Sequence, residues 1–351
     1  MSKKDKVIII ILNFNGLSYW PDLMPFLSQE KYSDFELEIV VIDNHSTDDS
    51  VNYLKENYPA VTIIQNAENL GFAGGNNVGY QYARRQGADF IYLLNQDTVI
   101  TSGFLQPLYD FAKHNKFGSL QSKIKFWSDQ HKINSLGNAI HYLGFGYSTG
   151  LGREDWENKI KKINYASGAG VFLSVKVLEE LNKDELFDQT MFMYLEDLDL
   201  GWSLQLLGYD NFLIPDSVIY HKYEFNRSMK QSYWFERNRW WVMLKNYKVA
   251  TLCLILPAWL LMEVGQLLYA LFDGRFKQKL RACFWVLSPR QWHFLLARRR
   301  YIQTKRKRTD RQVVLNFQGS ILFQPLDSLM LKLANIIFGL YWLIIKNFIF
   351  W

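Results

Sequence analysis

Cysteine is almost missing from this chain: Cys253 and Cys283 are the only two in 351 residues, and neither stands near a His or Asp at a metal-ligand spacing. That scarcity excludes a disulfide framework and a structural zinc site, and it makes a reducing compartment the expected environment. No leader is expected either. The run Val7 to Leu12 is too short for a signal-peptide core, and no cleavage site follows it. The chain is therefore expected to stay on the cytoplasmic side. No internal repeat and no low-complexity segment breaks it up.

What is present is unevenly distributed. The length exceeds what one hydrophobic core usually organises, and the composition changes near Asn246. Residues 1–245 read as a mixed globular domain, whereas 246–351 alternate apolar and aromatic segments with a basic block. The formal charge is only +6, yet Arg298, Arg299, Arg300, Lys305, Arg306, Lys307, Arg308 and Arg311 crowd one stretch. Between apolar segments, such a patch suits anionic lipid headgroups better than nucleic acid; a solvated basic loop is the alternative.

Val7 to Leu12 is a continuous β-branched run that meets a turn at Asn13-Phe-Asn-Gly16, the pattern of a strand buried on both faces. Leu37 to Asp43, Val61 to Gln65 and Asp89 to Asp97 repeat it, with helices expected over about 17–30, 48–57 and 75–86. Strands alternating with helices at this spacing predict an α/β fold with an open, mostly parallel sheet. Ligands in such sheets sit beyond the carboxyl ends of the strands. Asn13, Asn15, Asp43, Asn44, Asn95 and Asp97 would collect at that edge. Farther on, helices are expected over about 104–115, 174–182 and 192–207, and two short strands around Pro215.

Several motifs fall at informative places: Asp43-Asn-His-Ser-Thr-Asp48, Asn69-Leu-Gly-Phe-Ala-Gly-Gly-Asn-Asn77, Leu94-Asn-Gln-Asp-Thr98, Gly168-Ala-Gly170 and Glu196-Asp-Leu-Asp-Leu200. In this order and spacing, over roughly residues 5–245, the chain resembles glycosyltransferase family 2, the inverting enzymes of GT-A fold, and within it the bacterial rhamnosyltransferase-like branch. The resemblance implies a nucleoside-diphosphate sugar donor, dTDP-rhamnose or a UDP-hexose, and a lipid-linked glycan acceptor. It places donor contacts at Asn13, Asn15, Asp43, Asn69, Gly71, Asn76, Asn95, Gln96 and Asp97, and the acceptor pocket at Gly168, Ala169 and Gly170.

Each of these residues has a plainer reading. Asp43 fits recognition of a uracil or thymine ring N–H, or an Asx turn before the next helix. The glycines after Asn69 suit backbone approach to a diphosphate, or a small-residue packing face. Asn95-Gln96-Asp97 occupies the place of the family's DxD motif, which holds Mg²⁺ or Mn²⁺ against the phosphates. An amide there keeps an oxygen ligand and removes a charge, so metal binding should weaken without vanishing. Asp97 and His221 are the implied ligands; a lone histidine is otherwise structural.

Glu196, Asp197 and Asp199 open a helix, where acids offset the helix dipole whatever else they do. At about 100° per residue Asp197 and Asp199 diverge while Glu196 and Asp199 share a flank. By the resemblance the general base falls on Asp197, with Glu196 beside it. Ser203 replaces an arginine common in relatives, and Arg237-Asn238-Arg239 could meet donor phosphates or cap a helix end.

Val249 to Phe272 is long enough to cross a bilayer but contains Pro257, Glu263 and Gln266, and Leu329 to Trp351 carries Lys332 and Lys346. A crossing by the first would put the basic block outside, against the positive-inside bias. In-plane helices on the cytoplasmic face of a bacterial plasma membrane are therefore expected, with 249–272, 298–311 and 329–351 meeting the inner leaflet. The soluble alternative is an apolar homodimer interface. A nucleotidyltransferase and a non-catalytic partner of a glycan-assembly complex are the competing functions.

Overall fold

The computed structural model describes residues 3–222, 232–322 and 329–351. Strands β1 (Asp5–Asn13), β2 (Phe35–Asp43), β3 (Thr62–Gln65) and β4 (Phe90–Asn95) pair in parallel in the order β3-β2-β1-β4. They are joined through α1 (Trp20–Leu27), α2 (Ser50–Asn57) and α3 (Gly71–Arg85). In β1 the stretch Val7 to Ile11 is fully buried, because Ile8 and Ile10 enter one core while Val7, Ile9 and Ile11 enter the other. The chain runs outward from β1 to β3 and returns to β4 on the far side of β1. That reversal makes the carboxyl ends of β1 and β4 the topological switch point.

The sheet continues as a mixed one. After β5 (Thr98–Ile100), α4 (Gln106–His114), β6 (Ser119–Phe126), β7 (Ile133–Ser135), a β8 (Asn138–Ile140) and β9 (Gly146–Ser148) ribbon and β10 (Lys161–Ile163), strand β11 (Gly170–Ser174) inserts antiparallel between β4 and β6. Helices α5 (Val175–Asn182) and α6 (Glu196–Leu206) follow, then β12 (Asn211–His221), parallel to β6. The expected pair of strands around Pro215 is one strand. A register shift between Ile214 and Val218 absorbs the proline, which cannot donate to a ladder.

Two further expectations change. Helix α3 begins at Gly71, so the glycine-rich segment is the first turns of a helix. A Cβ on Gly75 would fall 2.3 Å from Leu12 Cδ1, and one on Gly79 would fall 2.4 Å from Ile10 Cγ2. The small residues let α3 lie close on β1. Residues 192–195 are not helical: Phe192, Tyr194 and Leu195 have φ of 61°, 67° and 66°, and α6 starts only at Glu196.

Beyond α7 (Ser232–Asn246) come α8 (Val249–Phe272), α9 (Phe276–Leu287), α10 (Pro289–Lys305), α11 (Asp310–Val314) and α12 (Leu329–Ile345). The compositional seam at Asn246 is not a seam in packing, since Trp202, Trp241, Tyr247, Ile302, Phe317 and Trp342 share one core with β1 and β4. Six of the eight cations in the basic block are engaged within the protein, while Arg300 and Arg311 are exposed. Arg298 pairs with Glu185 and Asp188, Arg306 with Asp310, Lys307 with Glu180 and Arg308 with Asp210. Arg299 donates to the Leu244 and Tyr247 carbonyls, and Lys305 to those of Glu180 and Leu181. These cations dock α10 and its following turn on the sheet domain; charge pattern alone could not show where their partners lie.

Alanine is a better helix former than glycine by about 1 kcal/mol, but overpacking a core costs about 1–3 kcal/mol. Gly79→Ala, pressed on Ile10 and Ile42, is expected to lower the thermal midpoint. Gly265→Ala in α8, whose added methyl would meet open space, should leave the midpoint unchanged or raise it. Equal shifts in thermal unfolding would show that α3 does not depend on the close approach.

Candidate active site

The switch point opens into a cleft of about 880 Å³. Its floor is set by a clasp: Gln96 Oε1 accepts from Phe14 N at 2.9 Å, and its Nε2 donates to Phe14 O at 3.1 Å. Gln96 thus ties the end of β4 to the end of β1 with its own amide. Asn69, Gly71, Asn95, Gln96, Asp97, Gly168, Ala169, Glu196, Asp197 and His221 all line the cleft, drawn from five separate parts of the chain.

Other expected residues do not line it. Asn13 is fully buried and donates to Asp43 Oδ1 and Ser50 Oγ, both at 2.8 Å. Asp43 is 2% exposed and also accepts from Ser46 N. Asn15 adopts φ 51° and accepts from Thr47 N at 2.8 Å. Asn76 is turned into α3, donating to Phe72 O at 2.9 Å; the helical start at Gly71 carries it away from the cleft. Gly170 is already in β11, where a Cβ would meet Ile219. Asn44, expected at the same strand-end edge, stands at the cleft. It donates to Asn69 Oδ1 and Gly71 O, and accepts from Leu70 N at 3.0 Å, fixing the entry to α3. Its only signal in the sequence is its place directly after the carboxyl end of a buried strand.

Asp97 and His221 meet across β5 and β12, with Asp97 Oδ1 3.2 Å from His221 Nε2. His221 Nδ1 lies 3.2 Å from Asn134 Oδ1. With the ring proton on Nδ1 donated to that amide oxygen, Nε2 turns a lone pair toward the carboxylate. Two lone-pair donors so close suit a cation between them. Among the described residues no group of three His, Cys, Asp or Glu stands together, so Asp97 and His221 are the two described side chains that could share a cation here, with oxygens of a bound anion and water suiting the rest of a Mg²⁺ or Mn²⁺ shell.

Across the cleft, Asp197 Oδ2 accepts from Gly168 N at 3.2 Å and its Oδ1 from Leu198 N at 2.7 Å. Burial pushes its pKa up to about 6, against the pull of those N–H donors. Glu196 is driven well above the usual carboxylate range by burial and by the charge of Asp197, and its Oε2 has no hydrogen-bond partner among the described residues. Asp199 leaves the site: one turn deeper, it pairs with Lys245 and accepts from Asn246 Nδ2 at 2.9 Å. The shared flank expected for Glu196 and Asp199 is split, because Glu196 stands at the helix mouth and Asp199 faces α7. Ser203 is buried within α6.

Within the Arg237-Asn238-Arg239 segment only Arg239 reaches the lining of the cleft, and its Nε has no hydrogen-bond partner among the described residues. Arg237 stacks 4.0 Å over Trp285, Arg239 pairs with Glu236 and Glu263, and Asn238 is fully buried. The cleft wall at this end also takes Phe145, Tyr147, Tyr165, Trp234 and Phe235. Sequence patterning missed these residues, since no motif marks them and their position depends on how α7 packs.

Residues 8–181 match the family model of Glycosyl transferase family 2. Over 205 residues the chain is 22% identical to the low-salt glycan biosynthesis hexosyltransferase Agl10 of Haloferax volcanii, covering 56% of this chain and 60% of that protein, less than two thirds of it. It is 24% identical over 225 residues to the N-acetylglucosaminyl-diphospho-decaprenol L-rhamnosyltransferase of Mycobacterium tuberculosis, with 58% and 72% of the two chains covered. The crystal structure of GalNAc-T7 with UDP, GalNAc and Mn²⁺ superposes with a TM-score of 0.57 at 14% identity, over 70% of this chain and 48% of that one. That likeness establishes the GT-A fold. The matched segment holds the switch point and the tips of its strands, and residues 8–181 are a glycosyltransferase family 2 domain.

Proposed function

We propose that the chain is an inverting glycosyltransferase that moves rhamnose from dTDP-rhamnose, or a hexose from a UDP-sugar, to a lipid-linked glycan acceptor. The observation that carries this reading is the placement of Asp197 in one cleft with Asp97 and His221. One side of the cleft suits a diphosphate and the other holds a half-buried carboxylate. Asp197 takes the proton of the acceptor hydroxyl as that oxygen attacks the anomeric carbon from the face opposite the departing nucleoside diphosphate. One displacement inverts the centre and no covalent intermediate is needed. Asp97 and His221 would hold Mg²⁺ or Mn²⁺, whose charge stabilises the leaving diphosphate.

Asp43 retains a part in donor recognition. A carboxylate offers about four lone-pair sites, and Asn13 and the Ser46 N–H occupy only some of them. Asn44, Asn69 and Gly71 form the adjoining wall, where the backbone approaches the donor. Gly168 both holds Asp197 and leaves room for the acceptor, since it carries no side chain beside Phe72.

The reaction is read as taking place at the cytoplasmic face of a bacterial membrane. Leu256, Leu260, Leu261, Val264 and Leu268 of α8 and Ile336, Ile337, Leu340 and Ile344 of α12 point outward. Both helices are long and apolar enough to cross a bilayer, but the inner side of α8 is engaged. Glu263 is turned inward against Arg239 and Lys279, which satisfies the one acid of the helix and leaves its apolar side for the lipid. In-plane attachment fits that division of faces.

Asp197→Asn is expected to lower kcat by about 10²-fold or more while leaving nucleotide-sugar affinity in calorimetry intact; full activity would remove Asp197 as the base. Because the base works ionised and its pKa is raised to about 6, turnover should be complete above that pH and fall about tenfold per unit below it. A profile flat down to pH 4 would contradict the assignment. His221→Ala should weaken Mn²⁺-dependent donor binding without altering metal-free binding. For the membrane reading, Leu260→Asp with Ile336→Asp should release the protein from anionic vesicles in flotation, and undiminished flotation would count against these faces.

A further inference from the structure

Helix α7 carries a feature that core packing does not require: a fully buried asparagine amid tryptophans. Asparagine is a weak helix former, and burying its amide costs free energy unless partners take up its hydrogen bonds. Asn238 Nδ2 has three carbonyl partners: Met191 O at 2.9 Å, Met193 O at 2.9 Å and Tyr194 O at 2.7 Å. With two protons for three acceptors, at least one proton is shared. All three carbonyls belong to the turn that leads into Glu196 and Asp197.

That turn is strained. Phe192, Tyr194 and Leu195 lie in the left-handed region, where a side chain crowds the backbone and only glycine is at ease. None is a glycine, so the surroundings must hold them there. From α7, Arg237 donates to Thr190 O, Trp241 Nε1 to Asp188 Oδ2 at 2.8 Å, Trp234 stacks on Phe192 and Phe235 stacks on Tyr194. From α3, Ala73 N donates to Phe192 O at 3.0 Å. The carbonyls of Met191, Met193 and Tyr194 converge on one point, and the Asn238 amide occupies it.

We propose that Asn238 is a positioning residue: its amide holds residues 191–195 in the left-handed turn that aims Glu196 and Asp197 into the cleft. The proposal rests on the reading of Asp197 as the base. Asn238 does not line the cleft and touches no reacting group. It acts by fixing where α6 begins, and therefore which of its acids faces the substrate. If the turn relaxes toward ordinary helix, α6 gains residues at its start and Asp197 loses its hydrogen bond from Gly168 N and its place beside it.

The test compares Asn238→Asp, which keeps the shape and removes the donor protons, and Asn238→Ala with Asp197→Asn and a core control, Val313→Ala. Both Asn238 variants are expected to lower kcat about tenfold or more, since small displacements of a catalytic group cost that much. Affinity for UDP or dTDP with Mn²⁺ should stay within about twofold of the parent. The acid limb of the pH–rate profile should move away from 6, because the burial and the Gly168 N–H bond that together set the Asp197 pKa both change. In the Asn238→Ala background, Tyr194→Gly accepts the left-handed backbone freely and should recover part of kcat.

Unchanged kcat and acid limb overturn the proposal. So does a parallel loss of kcat, nucleotide affinity and melting temperature with the acid limb unmoved, as in the core control. If Asn238→Asp and Asn238→Ala do not accumulate as folded protein, Asn238→Ser, which keeps one donor, carries the same comparison. An active Asp197→Asn overturns the reading of the base together with the proposal; an inactive Asp197→Asn beside an active Asn238→Asp overturns the proposal alone.

Discussion

Two hydrophobic cores meet at β1, and neither can open without exposing it. Val7 to Ile11 are fully buried, with alternate side chains assigned to opposite faces. A strand with no solvent face must have helices or other layers on both sides, which is why α3 comes so close that its glycines cannot carry a methyl group without a clash. The same strand ends at the switch point. The constraint that stabilises the fold is therefore the one that fixes the back of the cleft, and Gln96 completes it by joining β4 to the residue just past β1.

A second layer of dependence runs through α7. Toward the sheet domain it supports the turn before Glu196; toward the C-terminal helices it offers Glu236 and Arg239 to Lys279 and Glu263. Glu263 would be driven up by burial, yet Arg239 and Lys279 bring it down to about 2. Removing any one member would leave an uncompensated charge inside the protein, which is worse than having neither partner. The C-terminal helices are thus tied to the catalytic end of the sheet domain by charge as well as by shared apolar packing.

The parallel half of the sheet was legible because each buried strand is a continuous apolar run with turn residues after it, and β1, β2, β3 and β4 lie where those runs do. Asp97, Glu196, Asp197 and His221 could be singled out because resemblance added position to residue type. The failures share a physical origin. Phe192, Tyr194 and Leu195 have no composition that signals left-handed backbone, since the conformation is imposed by α7. Pro215 looked like a break, but a bulge tolerates it. The helix expected from about residue 75 starts earlier, at Gly71, because small and polar residues favour turns in a sequence reading, whereas here they let the helix lie close on β1, Gly75 against Leu12 and Gly79 against Ile10. The basic block looked like a surface patch because its acidic and carbonyl partners lie elsewhere in the chain.

Glu196 has a quieter role that follows from its isolation. Its buried carboxyl has an oxygen without a partner among the described residues and a neighbour that bears charge, so it is biased to keep its proton. The cleft then confronts an incoming polyanion with one fewer negative charge than its acids suggest. On the proposed reaction, in which phosphates enter beside a carboxylate base, a neutral Glu196 would lower the electrostatic barrier to entry without surrendering the base.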